Sequence, residues 1–550
     1  MDIKQSFSRR KFLSLGSLLF TAACGGGGGG GNEKGGTGGS SGGADKPLEP
    51  VLTPGGNEPP KEDPPPDTEV PEDPPPPQRN VIQRENAKTA AQGVTTEWYI
   101  QDQDYARNRE IEGYASATCV NRGESIQFFV NTPEPSYTIS VYRIGWYGSA
   151  GGRLMANPIQ RIGRVQPPPL HDPETNLVEC HWTDPYTLAI PHNADDPTDW
   201  ASGIYLAKLT AGISGKQSYI IFVVRDDMRG AELMFQTSVT TYAAYNNWGG
   251  YSFYDVDNPL RQTAVKVSFN RPYQNPQRPF NGKGAGDFLS WELLMLRFIE
   301  REGYDVTYTS NIGVHITPDC LRRHRAFLSV GHDEYWTREI FDAMQQARDG
   351  GVHLGFFGAN MGYWQVRLEP SSTGQPNRKV VCYKWAAPTR DPMHATNPRL
   401  TTTVWRDPSL NRPEAALIGV MYDYNSVDLD MVMSDCSTWI CAGTGLVNGD
   451  VLPGMLGYEV DRIDHASSPA NIQIIASSPY QVCFGDGCTP ETRYAHMAYY
   501  TAPSGAGVFA TGTMQWNWGL DDFGPWGNRA NPAVQQMTRN VLNHFARLEI

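Results

Sequence analysis

Four short segments carry residue types that can do chemistry, and each follows a run that reads as a β-strand. They are Thr240-Thr-Tyr-Ala-Ala-Tyr-Asn-Asn-Trp-Gly-Gly250, Gly331-His-Asp-Glu-Tyr-Trp336, Gly358-Ala-Asn360 and Gly512-Thr-Met-Gln-Trp516. All are polar or aromatic and punctuated by glycine. The segment at 331–336 is the most informative. His332 and Glu334 lie two residues apart, so on an extended segment they point the same way. A strand-to-helix turn of this kind often presents a serine or cysteine nucleophile in hydrolytic folds. Here it presents His-Asp-Glu, and neither GxSxG nor GxCxG occurs near it. Acyl-enzyme chemistry is therefore disfavoured, which leaves acid/base or metal-assisted chemistry.

The elements that must position these residues alternate in type. Residues 233–239, 306–309, 325–330, 352–357 and 508–511 read as strands. Residues 288–302, 337–348 and 531–545 read as helices, the first closed by Gly303, the second capped by Thr337 and the third opened by Asn531-Pro532. Strands alternating with helices predict, for residues 229–550, an α/β domain with a mainly parallel sheet, amidotransferase- or flavodoxin-like. In such sheets ligands bind beyond the carboxyl ends of the strands, where the four segments fall. Residues 385–500 contain extra strands and loops that the pattern does not place. Residues 86–228 read differently. Short runs with every second residue apolar, such as Ile126-Phe128-Val130 and Tyr137-Ile139-Val141, are separated by glycine and proline, which predicts an all-β, immunoglobulin-like sandwich.

The chain has 550 residues, a formal net charge of −13 and 11% aromatic residues. The folded part has no basic block, which argues against nucleic-acid binding. Residues 1–24 form an address: Ser8-Arg-Arg-Lys-Phe-Leu13 is a twin-arginine motif, a short apolar stretch follows, and Thr21-Ala-Ala-Cys24 resembles a lipobox. The expectation is an exported lipoprotein, held on a bacterial membrane through lipidated Cys24 and facing the periplasm or cell surface. Residues 25–85 are Gly/Ser-rich, then Pro-rich and acidic, as expected of a disordered tether. Eight cysteines remain beyond Cys24. Cys436–Cys441 and Cys483–Cys488, each enclosing four residues, are candidate disulfides, with a four-cysteine zinc site as the rival.

Thr241–Gly250, Gly250-Tyr-Ser-Phe-Tyr-Asp255, Gly331–Trp336 and Asn360-Met-Gly-Tyr-Trp-Gln-Val-Arg367, in this order, resemble the catalytic C-terminal domain of the N,N-dimethylformamidase large (beta) subunit family over residues 230–550. The resemblance implies hydrolysis of a small amide at a mononuclear iron, ferric in state, held by two tyrosines and a glutamate. Carried over, Glu334 is the carboxylate ligand, Tyr254 one tyrosine and Tyr245 the other, with Tyr242 its rival. His332 becomes a general base or proton shuttle, and Asn360 orients water or the substrate carbonyl. Phenolate and carboxylate are hard oxygen donors suited to ferric iron. An oligomer is also compatible with the chain. The competing expectation is a non-catalytic surface lipoprotein that grips glycan or peptide in a groove of Trp248, Trp336, Trp364, Trp516 and Trp518.

Overall fold

The computed structural model describes residues 79–254, 262–275, 284–483, 488–524 and 528–547. Residues 79–547 belong to one compact unit. The leader, Cys24 and residues 25–78 of the expected tether lie outside the described residues, as does Asp255. Within the stretch read as tether, Val81–Asn86 is a helix capped by Asn80, and its Ile82 and Glu85 are fully buried.

Residues 94–225 form two main sheets that share a core, beside a small hairpin of Leu170–Asp172 and Leu177–Glu179. The first runs in the order Val94–Thr95, Gly152–Leu154, Ser136–Ile144, Gly203–Ala211, Gln217–Arg225, Cys119–Asn121. The second is Tyr186–Ala189, Ser125–Asn131, Glu112–Ala115. Period-two alternation sends Ile126, Phe128 and Val130 of one sheet against Ile139, Val141, Leu209 and Phe222 of the other. The opposite face of the first sheet is also buried. Its Tyr142, Ile144, Leu206 and Ile221 pack with Leu233, Phe235 and Phe298.

The sheet that positions the site has seven strands, in the order Val306–Ser310, Leu233–Thr237, Ala326–Gly331, His353–Gly358, Gly507–Ala510, Glu491–Thr501, Gln473–Val482. The first five are parallel neighbours, and Glu491–Thr501 pairs antiparallel with Gly507–Ala510 on one side and Gln473–Val482 on the other. The expected mainly parallel, flavodoxin-like domain is thus corrected: the sheet is mixed, and mixed and antiparallel pairing dominates the molecule. The reason lies in residues 421–501. They hold no helix-period segment to make a crossover, so successive strands can pair only as hairpins. Met421–Val432 pairs antiparallel with Val451–Arg462, and Gln473–Val482 with Glu491–Thr501. A smaller sheet, Lys266–Ser268, Lys379–Val381, Trp364–Glu369, Tyr335–Thr337, completes the surroundings of the site.

The helical run expected over 288–302 is broken at Glu292 into Ala285–Trp291 and Leu293–Glu302, and the Glu292 carboxylate accepts from the Ser238 amide at 3.1 Å. Cys483 and Cys488 are disulfide-linked, whereas Cys436 and Cys441 remain thiols, which corrects the second expected staple. Among the described residues, no helix is long and apolar enough to cross a membrane.

Candidate metal and amide site

The strand Ala326–Gly331 ends in a turn that only glycine fits. Gly331 has φ +76°, and a Cβ there would lie 2.7 Å from Cβ of Trp291. The chain then crosses as 332–334 before pairing again as Tyr335–Thr337. Asp333 turns back into the sheet, where Gln236, Asn311 and Ser329 donate to it at 2.6, 2.9 and 2.8 Å. Its neighbours on either side, His332 and Glu334, consequently face the other way and meet in the site.

Glu334 is the hub. Its carboxylate accepts from Tyr245 Oη at 2.7 Å, from Tyr254 Oη at 2.9 and 3.2 Å, and from Trp364 Nε1 at 3.0 Å. The helix Val239–Tyr245 supplies two of the contacts by its own pitch. Thr241 and Tyr245, four residues apart, share a face. Thr241 Oγ1 accepts from the Glu334 amide at 3.0 Å while Tyr245 holds the carboxylate. The rings of Tyr245 and Tyr254 stack at 4.3 Å between centroids. Tyr335 closes the group, with its hydroxyl 2.6 Å from that of Tyr254.

His332 Nε2 lies 3.3 Å from Glu334 Oε2 and 3.0 Å from Glu459 Oε2. Asn360, at φ +55°, donates from Nδ2 to Glu459 Oε2 at 2.8 Å. Its amide donates to Asp461 Oδ1 at 2.8 Å. Asn360 Oδ1 is buried with no hydrogen-bond partner among the described residues. Lys384 sits above the cluster, its Nζ 3.5 Å from the centroid of the Tyr254 ring.

The electrostatics follow from burial and these partners. Burial opposes a charge on His332, but Glu459 and Glu334 outweigh it and raise the imidazole to about 10. Burial would raise Glu334, yet His332, Lys384 and Tyr245 hold it below the ordinary carboxylate range. Burial, then the charge of Glu334, pushes the Tyr254 phenol well up. Burial, helped by the charges of Glu459 and Glu414, lifts Asp461 to about 7 against the pull of the Asn360 amide and Arg406.

Four of the residues singled out in the sequence, Tyr245, Tyr254, His332 and Glu334, come together directly. Asn360 joins through Glu459. Tyr242, the rival ligand, does not join: it faces Glu292 instead. Glu459, Asp461 and Lys384 were missed. Glu459 and Asp461 lie on the unplaced stretch, where the one signal was a pair of acids inside an apolar run, Val451–Arg462. The five tryptophans of the proposed groove are 0–5% exposed, so none offers a ring face to a sugar or peptide. Among the described residues no group of three or more His, Cys, Asp or Glu is placed to hold a metal. A metal here would depend on phenolic oxygens, and Tyr245, Tyr254 and Glu334 bring three oxygen-bearing side chains to one point.

The family profile described as N,N-dimethylformamidase beta subunit-like, C-terminal, matches residues 138–532.

The chain belongs to this family.

The match starts within the strand Ser136–Ile144, well before residue 230, so the family's unit takes in most of the two-sheet region as well as the mixed sheet. The N,N-dimethylformamidase beta subunit of Paracoccus aminophilus is 25% identical over 453 residues, 68% of this chain and 56% of the relative. The protein of the same name from an Alcaligenes sp is 27% identical over 349 residues, 56% of this chain and 43% of the relative. The chain thus spans about half the length of these two members of the N,N-dimethylformamidase beta subunit-like family.

Proposed function

We propose that this chain is a metal-assisted hydrolase of a C–N amide bond, using a mononuclear ferric ion held by Tyr245, Tyr254 and Glu334. The observation that carries the reading is the convergence of two phenols on one buried carboxylate beside an imidazole. The donor set suits a hard trivalent cation. A phenol's ordinary pKa is about 10, and burial here pushes Tyr254 higher, so a cation must supply the drive for losing that proton. When bound, such an ion polarises a carbonyl and makes water a better nucleophile at neutral pH. No covalent intermediate is required, which fits a turn without a serine or cysteine nucleophile.

The chain's own residues handle orientation and protons. His332, with Nε2 between the carboxylates of Glu334 and Glu459, keeps a proton there and hands it to the departing nitrogen. Glu459, fixed by Asn360, takes the proton released by the attacking water. Asn360 Oδ1 remains free to accept from that water or from the substrate N–H. Trp364 and Thr241 hold Glu334 in place, which leaves the geometry little freedom to drift.

The leader reading places the enzyme outside the cytoplasm, tethered through lipidated Cys24. The beta-subunit names of the relatives favour assembly with further chains. The test is amine release from small linear amides by the iron-loaded chain, compared with Glu334→Ala. Turnover that the substitution abolishes supports the reading. Absence of turnover on formamides and acetamides, with the metal bound, overturns it.

A further inference from the structure

We infer that Trp385 is a specificity-determining residue, and that the amide taken at this site carries a flat apolar substituent, an aryl group, that lies on its indole. The inference rests on the amide-hydrolase reading and adds the substrate class.

Trp385 is 66% exposed, whereas the tryptophans flanking the catalytic strand tips are buried. An indole left in water keeps a broad apolar face available for a flat ligand to cover. This indole is not a stray surface residue. Its ring packs edge-on against Trp364, 5.1 Å between centroids and 72° between planes, and the Trp364 indole donates to Glu334. One ring therefore separates Trp385 from the hub of the site.

The backbone fixes this placement. Lys384 has φ +53°, a conformation that a lysine adopts only when its surroundings impose it. Here Tyr383 and Lys384 both donate from their amides to Thr402, at 2.9 and 3.0 Å. The Lys384 ammonium is anchored inside, 3.2 Å from the Phe253 carbonyl and over the Tyr254 ring. That left-handed step sends consecutive side chains apart, Lys384 to the cluster and Trp385 to solvent.

Part of the cluster keeps contact with solvent. Glu334 and Tyr245 are buried, while Tyr254, beneath Lys384, and His332 keep partial exposure. A ligand whose reacting carbon reaches this edge places its outer substituent against Trp385. A one-carbon amide such as dimethylformamide is too small to touch both.

The test compares formanilide with dimethylformamide as substrates of the full iron-loaded chain, its Trp385→Ala variant and its Trp385→Phe variant. Calorimetric binding of formanilide to the same three proteins runs in parallel. Trp385→Ala is expected to lower the formanilide-to-dimethylformamide ratio of kcat/KM about tenfold, through KM, and to weaken formanilide binding by the same factor. Trp385→Phe, which keeps a ring, restores most of both. An equal fall on the two substrates, or a phenylalanine no better than alanine, overturns the inference while leaving the hydrolase reading intact. If neither amide is turned over, the hydrolase reading fails. Formanilide binding that Trp385→Ala leaves unchanged then overturns the aromatic contact too, whereas a tenfold loss upholds it.

Discussion

His332 is shared between Glu334 and Glu459, its Nε2 3.3 Å from one carboxylate and 3.0 Å from the other. The two acids lie far apart in sequence, one at a strand tip and one on a long hairpin. A Glu459→Gln substitution keeps the hydrogen bond from Asn360 but removes the charge and the proton acceptor. The expected result is a fall in kcat of on the order of 10²-fold or more, with KM little changed, as for loss of a general base. Steady-state kinetics on a turned-over amide check this, with retained iron showing that the metal site is intact.

Tyr242 and Tyr245 lie one helical turn apart and have different fates. Tyr245 donates to Glu334, and Tyr242 faces Glu292. Tyr245→Phe should lose most bound iron or hold it far more weakly. Tyr242→Phe should keep it at the wild-type level. Iron per chain after gel filtration distinguishes the two.

How much of this site was legible in the sequence depends on the residue. Glu334 and His332 were readable because a strand ends at Gly331 and polar residues follow at once. Tyr245 and Tyr254 needed the family likeness, since a tyrosine in so aromatic a chain is ordinarily core. Glu459 and Asp461 were not readable. They reach Asn360 and His332 only because the hairpin Met421–Val432/Val451–Arg462 folds over the tips of the parallel strands. The same hairpin explains the misread tryptophans. Val460 bridges to Thr513, and Gly457 donates to Thr513 Oγ1 at 2.9 Å, so the tip bearing Trp516 is covered rather than open. Glu491–Thr501, the reversed strand that makes the main sheet mixed, and its partner Gln473–Val482 come from the same unreadable stretch.

Glu292 provides a pH-dependent prediction away from the site. Burial raises its carboxyl from 4.5 to about 8, with Tyr242 and the Ser238 amide pulling the other way. In the unfolded chain this acid ionises near its ordinary pKa, so between about pH 4.5 and 8 the folded state binds the extra proton. Its contribution to stability is therefore full below the unfolded pKa, declines as pH rises, and is lost once pH passes the folded pKa. Glu292→Gln stays neutral throughout and can still accept from Ser238. It should match or trail the wild type at pH 5 and exceed it by on the order of 2 kcal/mol at pH 8.5. Urea melts at the two pH values provide the comparison.

Arg143 and Glu300 form a fully buried pair at 2.7 Å, joining the first sheet of the two-sheet region to the helix Leu293–Glu302. Tyr308 also donates to Glu300 at 2.8 Å, and Asn86 of the first helix at 2.9 Å. Glu300→Ala leaves the guanidinium buried without its main counter-charge. A loss of about 3–5 kcal/mol of stability is expected, read as a lowered midpoint in denaturant melts. Replacing both partners by apolar residues of similar volume should recover much of that loss.

The central claim is that Tyr245, Tyr254 and Glu334 together hold one iron. The direct measurement is metal content and visible absorption of the purified chain beside Glu334→Ala. One iron per chain, with a tyrosinate-to-iron charge-transfer band that Glu334→Ala removes, is the predicted result. No iron and no band after reconstitution with ferric or ferrous salt, or a band that survives the loss of Glu334 unchanged, would contradict it.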